Sequence, residues 1–178
     1  MIEKINWDNY FHKICEAVAS KSPCLSRQIG AILVRDHSII STGYNGPARG
    51  IPHCGPNRLG KDNTLNILHS DESAKLYPSY EVSSTCPRKL LGFKSGTGME
   101  YCPAQHAEEN CISNAARLGV SVLNSTLYMN CVIPCKNCLS TLINAGIMQI
   151  VVDQASVYDS HTKYIIDNSN IDIREFEL

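Results

Sequence analysis

Two short strings in this chain supply three soft metal ligands and one free carboxylate. The first is His106-Ala107-Glu108, and the second is Pro134-Cys135-Lys136-Asn137-Cys138. Zinc prefers imidazole and thiolate ligands in a tetrahedron, and a site with only three protein ligands leaves the fourth position for water. The two strings therefore predict a hydrolytic zinc site formed by His106, Cys135 and Cys138.

The spacing within each string separates the ligands from the acid. Cys135 and Cys138 are three residues apart and share one face of a helix that we expect to begin near Pro134. Glu108 follows His106 by a step of about 200° on a helix, so it cannot ligate the same ion from the same direction. Glu108 is therefore predicted to be the catalytic acid and base that moves a proton for a water molecule beside the metal.

Each string has a simpler explanation when it stands alone. A lone His-x-Glu is often a helix with two solvated polar groups, and a lone Cys-x-x-Cys is often a structural zinc knuckle or a redox pair. A redox pair does not need the upstream histidine and glutamate. The ordered occurrence of both strings favours the catalytic interpretation.

Length, charge and hydropathy limit the class of protein. The chain has 178 residues, which fits a single domain with a substantial core. A formal net charge of −1 with 16 Lys and Arg gives no broad basic surface, which disfavours a polynucleotide substrate. No stretch approaches the roughly 18 apolar residues of a membrane span, and the first residues lack the apolar core of a signal peptide. We expect a cytoplasmic protein with no membrane partner, located in the host cytoplasm if its source is a virus.

Cysteine is abundant in this chain. It has nine cysteines. An odd number of cysteines in a chain without a secretion signal indicates metal ligands and buried thiols rather than disulfides. Cys15, Cys111 and Cys131 lie in apolar stretches and are predicted to be core residues.

Hydrophobic periodicity predicts helices and strands on both sides of a long irregular segment. We expect helices at 7–21, 106–118 and about 134–146, with Gly119 ending the second, and strands at 29–34, 38–44, 125–130, 147–152 and 171–173. The alternation after residue 106 indicates a three-layer α/β arrangement.

The irregular segment runs from about residue 45 to about residue 105. It is rich in Gly, Pro, Asn and Ser and has little sustained periodicity, which is unusual inside a compact domain. We interpret residues 1–178 as one domain with a loop-rich insertion at about 45–105.

With these motifs assembled, the chain resembles the cytidine deaminase superfamily, and most closely the deoxycytidylate (dCMP) deaminases of bacteria and phages. The likeness also rests on Gln28-Ile29-Gly30-Ala31, on Ser41-Thr42-Gly43-Tyr44-Asn45-Gly46 and on Ala145-Gly146-Ile147. The resemblance implies a three-layer αβα cytidine deaminase-like fold with a central mixed sheet of about five strands. It also implies an enzyme, a zinc hydrolase that converts dCMP to dUMP and ammonia and so feeds thymidylate (dTMP) synthesis.

Two alternatives remain open beside that activity. The first is deamination of dCTP, alone or together with dCMP. The second is a non-catalytic, nucleotide-sensing zinc module built on a deaminase fold.

The resemblance also implies substrate contacts. Asn45 corresponds to a residue that faces the sugar, although Asn-Gly is equally a strong turn signal. The amide of Ala107 is expected to bind the pyrimidine carbonyl, and the carbonyl of Ile133 is expected to accept from the exocyclic amine. Tyr158 corresponds to a phosphate-binding tyrosine, and Arg27 is a second phosphate candidate or simply a solvated cation.

A second, structural zinc is predicted from the cysteines that bracket the irregular segment. Four thiolates would close such a site, and the candidates are Cys24, Cys54, Cys86 and Cys102, with His53 as a substitute for Cys86. Related proteins of bacteria and phages often carry an extra zinc at positions matching Cys24 and Cys54. The alternative is that these are small buried thiols.

The resemblance finally implies regulation and assembly. Many dCMP deaminases are hexamers that dCTP activates and dTTP inhibits, and a magnesium ion could accompany the effector triphosphate. Tyr44, Gly46 and Arg49 are the candidate regulatory contacts in this chain, although a surface arginine in a turn is ordinarily just solvated.

Overall fold

A computed structural model describes residues 5–59, 61–63, 65, 83–94, 96–157 and 159–178. The chain divides into two compact units. The sheet unit comprises Met1–Ser22, Ile29–Asn45 and His106–Leu178, and the loop-rich unit comprises Pro23–Gln28 and Gly46–Gln105. The assignment of 1–178 to one domain with an insertion stays a prediction. Within the described part of the chain, no helix is both long enough and apolar enough to span a membrane.

The sheet unit alternates strands and helices. Its helices are α1 (Trp7–Ala19), α4 (Ala107–Leu118), α5 (Lys136–Asn144) and α6 (Ser160–Asp167). Its strands are β1 (Gly30–Arg35), β2 (Ser38–Tyr44), β5 (Thr126–Val132), β6 (Gln149–Gln154) and β7 (Asp172–Glu175). The numbers missing from these two series belong to short elements of the loop-rich unit, which are given below with their bounds.

The five strands form one mixed sheet in the order β2-β1-β5-β6-β7. Strand β1 is antiparallel to both β2 and β5, whereas β5, β6 and β7 run parallel to one another. The β1–β2 hairpin turns at Asp36 and His37, which both have positive φ, as a two-residue type I′ turn requires. The predicted mixed sheet of about five strands is confirmed.

Alternating side chains of the sheet build two apolar layers, because successive residues of a strand point to opposite faces. Ile32 and Val34 of β1 pack with Phe11 and Cys15 of α1. Ala31 and Leu33 point the other way, into the larger core that also receives residues from α4 and α5. Helices therefore cover both faces of the sheet, which confirms the three-layer αβα arrangement.

Most predicted elements are confirmed with small shifts at their ends. Gly119 ends α4 with a φ of 69°, as predicted. The helix expected from about residue 134 instead begins at Lys136, because Cys135 has the extended backbone of an N-cap residue. The predicted core thiols Cys15, Cys111 and Cys131 are all buried.

Helix α6 was not predicted from the sequence. This helix begins after Asp159, whose carboxylate accepts a hydrogen bond from the backbone N–H of Thr162 at 2.8 Å. Asp159 is a regular N-cap signal, but only one residue of the helix, Thr162, is buried. Ile165 and Ile166 pack only partly buried against the core, and a helix of eight residues is too short to show several repeats of the helical period.

The loop-rich unit contains only short elements in its described part. They are β3 (Gly46–Pro47), α2 (Pro56–Leu59), α3 (Pro87–Leu90), a 3₁₀ turn (Met99–Tyr101) and β4 (Ala104–Gln105), with β3 and β4 paired antiparallel. Arg58 is buried and donates to Asp62, to the carbonyl of Tyr101 and to Sγ of Cys54. Its guanidinium therefore links separate segments of this unit.

Candidate metal centre

Three potential ligand atoms come together in the sheet unit. Nδ1 of His106 lies 3.6 Å from Sγ of Cys135 and 3.3 Å from Sγ of Cys138, and the two sulfurs are 3.6 Å apart. Among the described residues, this is the only group of three or more His, Cys, Asp or Glu side chains whose ligand atoms lie within 4.8 Å of one another.

The distances within this group fit a zinc ion. With Zn–S near 2.3 Å and Zn–N near 2.0 Å, tetrahedral coordination separates two sulfurs by about 3.8 Å and a nitrogen from a sulfur by about 3.5 Å. The observed separations of 3.6, 3.6 and 3.3 Å approach these values. One imidazole and two sulfurs are also the donor set that zinc prefers, and three protein ligands leave one position for water.

Two helix N-termini bring the ligands together. His106 is the N-cap residue of α4, Cys135 is the N-cap residue of α5, and Cys138 is the third residue of α5. The unpaired amides of a first helical turn carry partial positive charge, which favours thiolates there. The predicted Cys-x-x-Cys pair therefore converges although Cys135 itself lies just outside the helix.

The ligands also shift one another's pKa. The hydrogen bond between the sulfurs of Cys135 and Cys138, together with His106, lowers the pKa of Cys135 to about 4. The same bond raises the pKa of Cys138. The hydrogen bond to Cys135 raises the pKa of His106 to about 9, while burial acts in the opposite direction. Cys135 is thus held as a thiolate, the form of cysteine that binds metals.

Glu108 lies in the first turn of α4 and is buried, with 5% of its surface exposed. Burial raises the pKa of its carboxyl group, and the nearby His106 partly offsets this effect. The carboxylate does not join the ligand group. A buried acid with a raised pKa takes up a proton more readily than an exposed one, which suits a group that accepts and returns a proton.

Asn45 follows the last residue of β2 and is buried. Its Oδ1 accepts from the backbone N–H of Ile29 at 2.8 Å and lies 2.7 Å from Oγ of Ser22. The side chain of Asn110 on α4 donates to the carbonyl of Tyr44 at 2.9 Å. This bond joins the end of β2 to the second turn of α4, just beyond His106 and Glu108.

The other predicted substrate and effector residues have different settings. Ala107 is the first residue of α4, and Ile133 lies between β5 and α5; both are buried. Tyr44 is 40% exposed, and Tyr158 lies outside the described residues. Arg27, Gly46 and Arg49 belong to the loop-rich unit, where the two arginines are exposed and the glycine is buried.

The four cysteines predicted to hold a second zinc all belong to the loop-rich unit. Cys86 and Cys102 lie close enough to Cys54 to raise its pKa, although burial is the larger cause and Arg58 acts in the opposite direction. The sulfurs of Cys24, Cys54, Cys86 and Cys102 do not all come within 4.8 Å of one another, and His53 belongs to no such group. The quartet is therefore not assembled as the catalytic ligands are.

Two residues near the site were missed by the sequence analysis. The backbone N–H of His106 donates to Oε2 of Glu109 at 3.4 Å, and an acidic residue three positions after an N-cap is a recognisable capping pattern. Ser22 reaches Asn45 from the segment after α1, and no local pattern indicates this long-range contact.

The comparisons with known proteins agree with this site. The family described as "Cytidine and deoxycytidylate deaminase zinc-binding region" matches residues 5–154. The deoxycytidylate deaminase of Mycobacterium phage D29 is 30% identical over 156 residues, which cover 85% of this chain and 97% of the phage protein. That of Saccharomyces cerevisiae is 29% identical over 173 residues, or 97% of this chain and 46% of the yeast protein. The chain thus spans less than half of its yeast relatives.

A solved structure has a similar fold. The crystal structure of the dCMP deaminase from the cyanophage S-TIM5 in complex with dCMP and dUMP matches with a TM-score of 0.62 and 19% sequence identity. The match covers 97% of this chain and 98% of the phage chain. At this identity the likeness supports the fold.

Proposed function

Because this chain belongs to the family of cytidine and deoxycytidylate deaminases that share a zinc-binding region, we propose that it hydrolyses dCMP to dUMP and ammonia. The product would enter thymidylate synthesis. The observation that carries the proposal is the meeting of the ligand atoms of His106, Cys135 and Cys138 within 4.8 Å of one another. The buried Glu108 lies in the first turn of α4, two residues after His106.

His106, Cys135 and Cys138 would hold the zinc, which when bound supplies the Lewis acidity that makes water nucleophilic near neutral pH. Glu108 accepts a proton from the attacking water on a carboxylate oxygen and transfers it to the ring nitrogen of cytosine. A C–O bond forms at the amine-bearing carbon as the first proton moves. Glu108 then transfers the remaining hydroxyl proton to the amine, the C–N bond breaks, and ammonia leaves. Burial of Glu108 supports this role because it raises the pKa of the carboxyl group and so favours its taking up a proton.

Backbone groups next to the ligands would orient the pyrimidine. The amide of Ala107 occupies the first position of α4, where no intrahelical acceptor exists, so it can donate to the pyrimidine carbonyl. The carbonyl of Ile133 is proposed to accept from the exocyclic amine. Asn45 is proposed to contact the sugar, and Tyr158 and Arg27 the 5′-phosphate.

The choice of dCMP over other cytosine compounds is supported by the relatives. The matched proteins of phage D29 and yeast are deoxycytidylate deaminases, and the S-TIM5 enzyme was crystallised with dCMP and dUMP. The small net charge of −1 also argues against a polynucleotide substrate.

A second zinc in the loop-rich unit is part of the proposal. Cys54, Cys86 and Cys102 interact electrostatically, and Cys24 lies in the same unit. Arg58 now donates to Cys54 at 3.2 Å, so binding a metal at that sulfur requires this bond to rearrange. His53 would replace Cys86 if that cysteine does not ligate.

Effector control and assembly complete the proposal. We propose a hexamer that dCTP activates and dTTP inhibits, with Mg²⁺ accompanying the triphosphate. The half-exposed ring of Tyr44 and the exposed Arg49 could contact such a nucleotide, and Gly46 could contribute its backbone. The support is the family resemblance and the exposure of these two side chains.

The test is a substrate panel on purified, zinc-loaded protein. Ammonia release is measured with dCMP, dCTP, deoxycytidine and single-stranded DNA, each with and without dCTP or dTTP as effector. We expect dCMP to give the highest kcat/KM. Preferred turnover of dCTP would reassign the substrate, and no ammonia from any compound would support a non-catalytic, nucleotide-sensing module instead.

A further inference from the structure

The two cysteines of the metal centre also have the arrangement of a redox pair. Sγ of Cys135 lies 3.6 Å from Sγ of Cys138, whereas a disulfide bond has a length of about 2.05 Å. Rotation of the side chains can close this difference, because Cys135 is the N-cap residue of α5 and lies just outside the helix. Cys-x-x-Cys is also the spacing of the reactive pair in disulfide oxidoreductases. The separation therefore suits a disulfide as well as a zinc ion.

The two thiols differ in their access to solvent. Cys138 is 1% exposed, whereas Cys135 is partly exposed. Lys136 and Asn137, which lie between them, are exposed. An oxidant that arrives from solution therefore meets Cys135 first, with Cys138 behind it as the second thiol. Redox-sensing cysteines are accessible thiols that lie next to such a resolving cysteine.

Zinc binding and disulfide formation require the same two sulfur atoms. A sulfur binds zinc as a thiolate, and a disulfide sulfur carries no such charge. Oxidation of the pair would leave His106 as the only one of the three ligands. Bound zinc would in turn hold the two sulfurs about 3.8 Å apart, each directed at the metal and not at the other sulfur. The two reactions therefore exclude each other.

We propose that Cys135 and Cys138 form a reversible disulfide with a peroxide as the oxidant whenever zinc does not hold them, and that this disulfide switches the metal centre off. The disulfide itself stands on the geometry of the two thiols. The consequence, loss of deamination, rests on the proposed function.

The oxidation balances in two steps. Sγ of Cys135 attacks one oxygen of hydrogen peroxide, the O–O bond breaks, and the leaving hydroxide takes the thiol proton to form water, which leaves a sulfenic acid on Cys135. Sγ of Cys138 then attacks Sγ of Cys135, and the S–O bond breaks. The second hydroxide takes the proton of the Cys138 thiol and leaves as water. The two sulfurs have then lost two electrons and the peroxide has gained them, and a dithiol reductant reverses the change by thiol–disulfide exchange.

The test treats reduced wild type with hydrogen peroxide, after removal of zinc by a chelator and in parallel with zinc added back. Remaining thiols are blocked with N-ethylmaleimide before digestion with trypsin. Cleavage after Lys136 places Cys135 in the peptide 118–136 and Cys138 in the peptide 137–163, so only a disulfide keeps the two peptides joined. Without zinc we expect this joined pair, with N-ethylmaleimide on Cys131, the other cysteine of the first peptide.

Zinc should protect the pair in proportion to its occupancy. At a free zinc concentration about 100 times the dissociation constant, the rate of disulfide formation should fall about 100-fold, because only the zinc-free fraction reacts. The oxidised protein should take up zinc at this centre only after treatment with dithiothreitol. Zinc uptake is measured with a colorimetric chelator, and ammonia release from dCMP is followed in the same samples.

Two cysteine variants define the partners. Cys138→Ser should give no joined pair and should leave Cys135 as a sulfenic acid, which dimedone labels. Cys131→Ser is the matched control, because it removes a buried thiol from the same tryptic peptide, and it should form the joined pair at the wild-type rate. Circular dichroism shows whether the chelated protein keeps its fold. If it unfolds, zinc-loaded protein is oxidised at limiting free zinc, and one zinc ion should be released for each joined pair.

The outcomes separate the disulfide from the deaminase activity. No joined pair, a pair that uses Cys131 in place of Cys135, or a rate that excess zinc does not change would overturn the redox role while the deaminase activity stands. Ammonia release that falls as the joined pair forms and returns with dithiothreitol and zinc would support the switch. If reduced, zinc-loaded wild type releases no ammonia from dCMP, the proposed function fails, and the joined pair still decides whether the disulfide forms.

Discussion

Gly43 of β2 lies directly against Ala107, the first residue of α4. A Cβ atom at position 43 would stand 2.4 Å from the carbonyl oxygen of Ala107 and 2.4 Å from the backbone nitrogen of Cys111. Both neighbours are backbone atoms, which cannot swing aside as a flexible side chain can. Only glycine therefore permits β2 to approach the helix that starts at the metal ligand His106.

Gly43→Ala should destabilise the protein and disturb the metal centre. Overpacking of a tight contact costs about 1–3 kcal/mol and occasionally more, and here the strand or α4 must shift to relieve it. Urea unfolding should show a loss of at least about 2 kcal/mol, and the purified variant should contain less zinc than wild type.

Gly50→Ala is the control for Gly43→Ala. Gly50 has a φ of +81° but no atom within 4 Å of the added Cβ, so this variant carries the backbone cost of about 1–2 kcal/mol without the clash. It should keep the zinc content of wild type. A Gly43→Ala protein as stable as wild type would contradict the close packing.

Glu108→Gln should retain zinc and lose turnover. The amide has the shape of the carboxylate but cannot accept and return a proton, and general acid–base catalysis typically contributes about 10²–10⁴ in rate. Glu108 is not among the grouped ligands, so metal analysis should find the wild-type content. Ammonia release from dCMP gives the rate.

Glu109→Gln serves as the comparison for Glu108→Gln. Glu109 is the adjacent carboxylate, and its Oε2 accepts from the backbone N–H of His106, a bond that an amide oxygen can replace. Its turnover should stay within a few-fold of wild type. Comparable losses in the two variants would show that charge near the site, and not proton transfer by Glu108, sets the rate.

The fold could be predicted from the sequence where a local residue pattern determines which side chains pack together. Alternation along β1 places Ile32 and Ala31 on opposite faces, and each face has its own core. The His-x-Glu and Cys-x-x-Cys strings likewise predict convergence, because a metal needs all its ligands at once. In contrast, α6 has eight residues and a single apolar cluster around Ile165 and Ile166, which is too short to show a helical period.

Other parts of the site depend on contacts that no local pattern encodes. Ser22 meets Asn45 across 23 positions in sequence, and a serine after a helix is ordinarily just a polar surface residue. The spacing of the cysteines in the loop-rich unit suggested a ligand set, yet Cys54 is held by Arg58. A buried arginine with several acceptors can only be recognised once the chain is folded.

Metal analysis tests the second zinc directly. Zinc-loaded wild type should contain about two zinc ions per chain. One ion would be bound by the three ligands of the catalytic centre and the other by the four thiolates of the loop-rich unit. Replacing both Cys24 and Cys54 with serine should lower the content towards one, while ammonia release tells whether the catalytic zinc is retained.

Cys15→Ala provides the control for the cysteine count. Cys15 is buried against the sheet and burial raises the pKa of its thiol. Replacing it should therefore leave the zinc content per chain unchanged. A wild-type content of one zinc, unchanged in the double serine variant, would remove the second site from the proposal.

The stability of the sheet unit should depend on pH through Asp8. This buried carboxylate accepts two hydrogen bonds from the guanidinium of Arg174 and one from the backbone N–H of Glu177, and Arg174 is the main cause of its lowered pKa. A carboxyl with a lower pKa in the folded state stabilises the protein above its unfolded pKa, near 3.8. That contribution is lost as the pH falls through the lower, folded value.

Asp8→Asn should therefore lower the free energy of unfolding by about 1–2 kcal/mol at pH 7, a value reduced for the partial exposure of Arg174. The difference in the free energy of unfolding between the variant and wild type should become smaller below about pH 4, because the wild-type carboxyl then takes up a proton and loses its charge. Asp167→Asn, which breaks the exposed pair with Lys163, should change stability by less than about 0.5 kcal/mol. Urea unfolding from pH 7 to pH 3 measures both, and a gap for Asp8→Asn that stays constant over this range would show that packing, and not the charge of Asp8, is responsible.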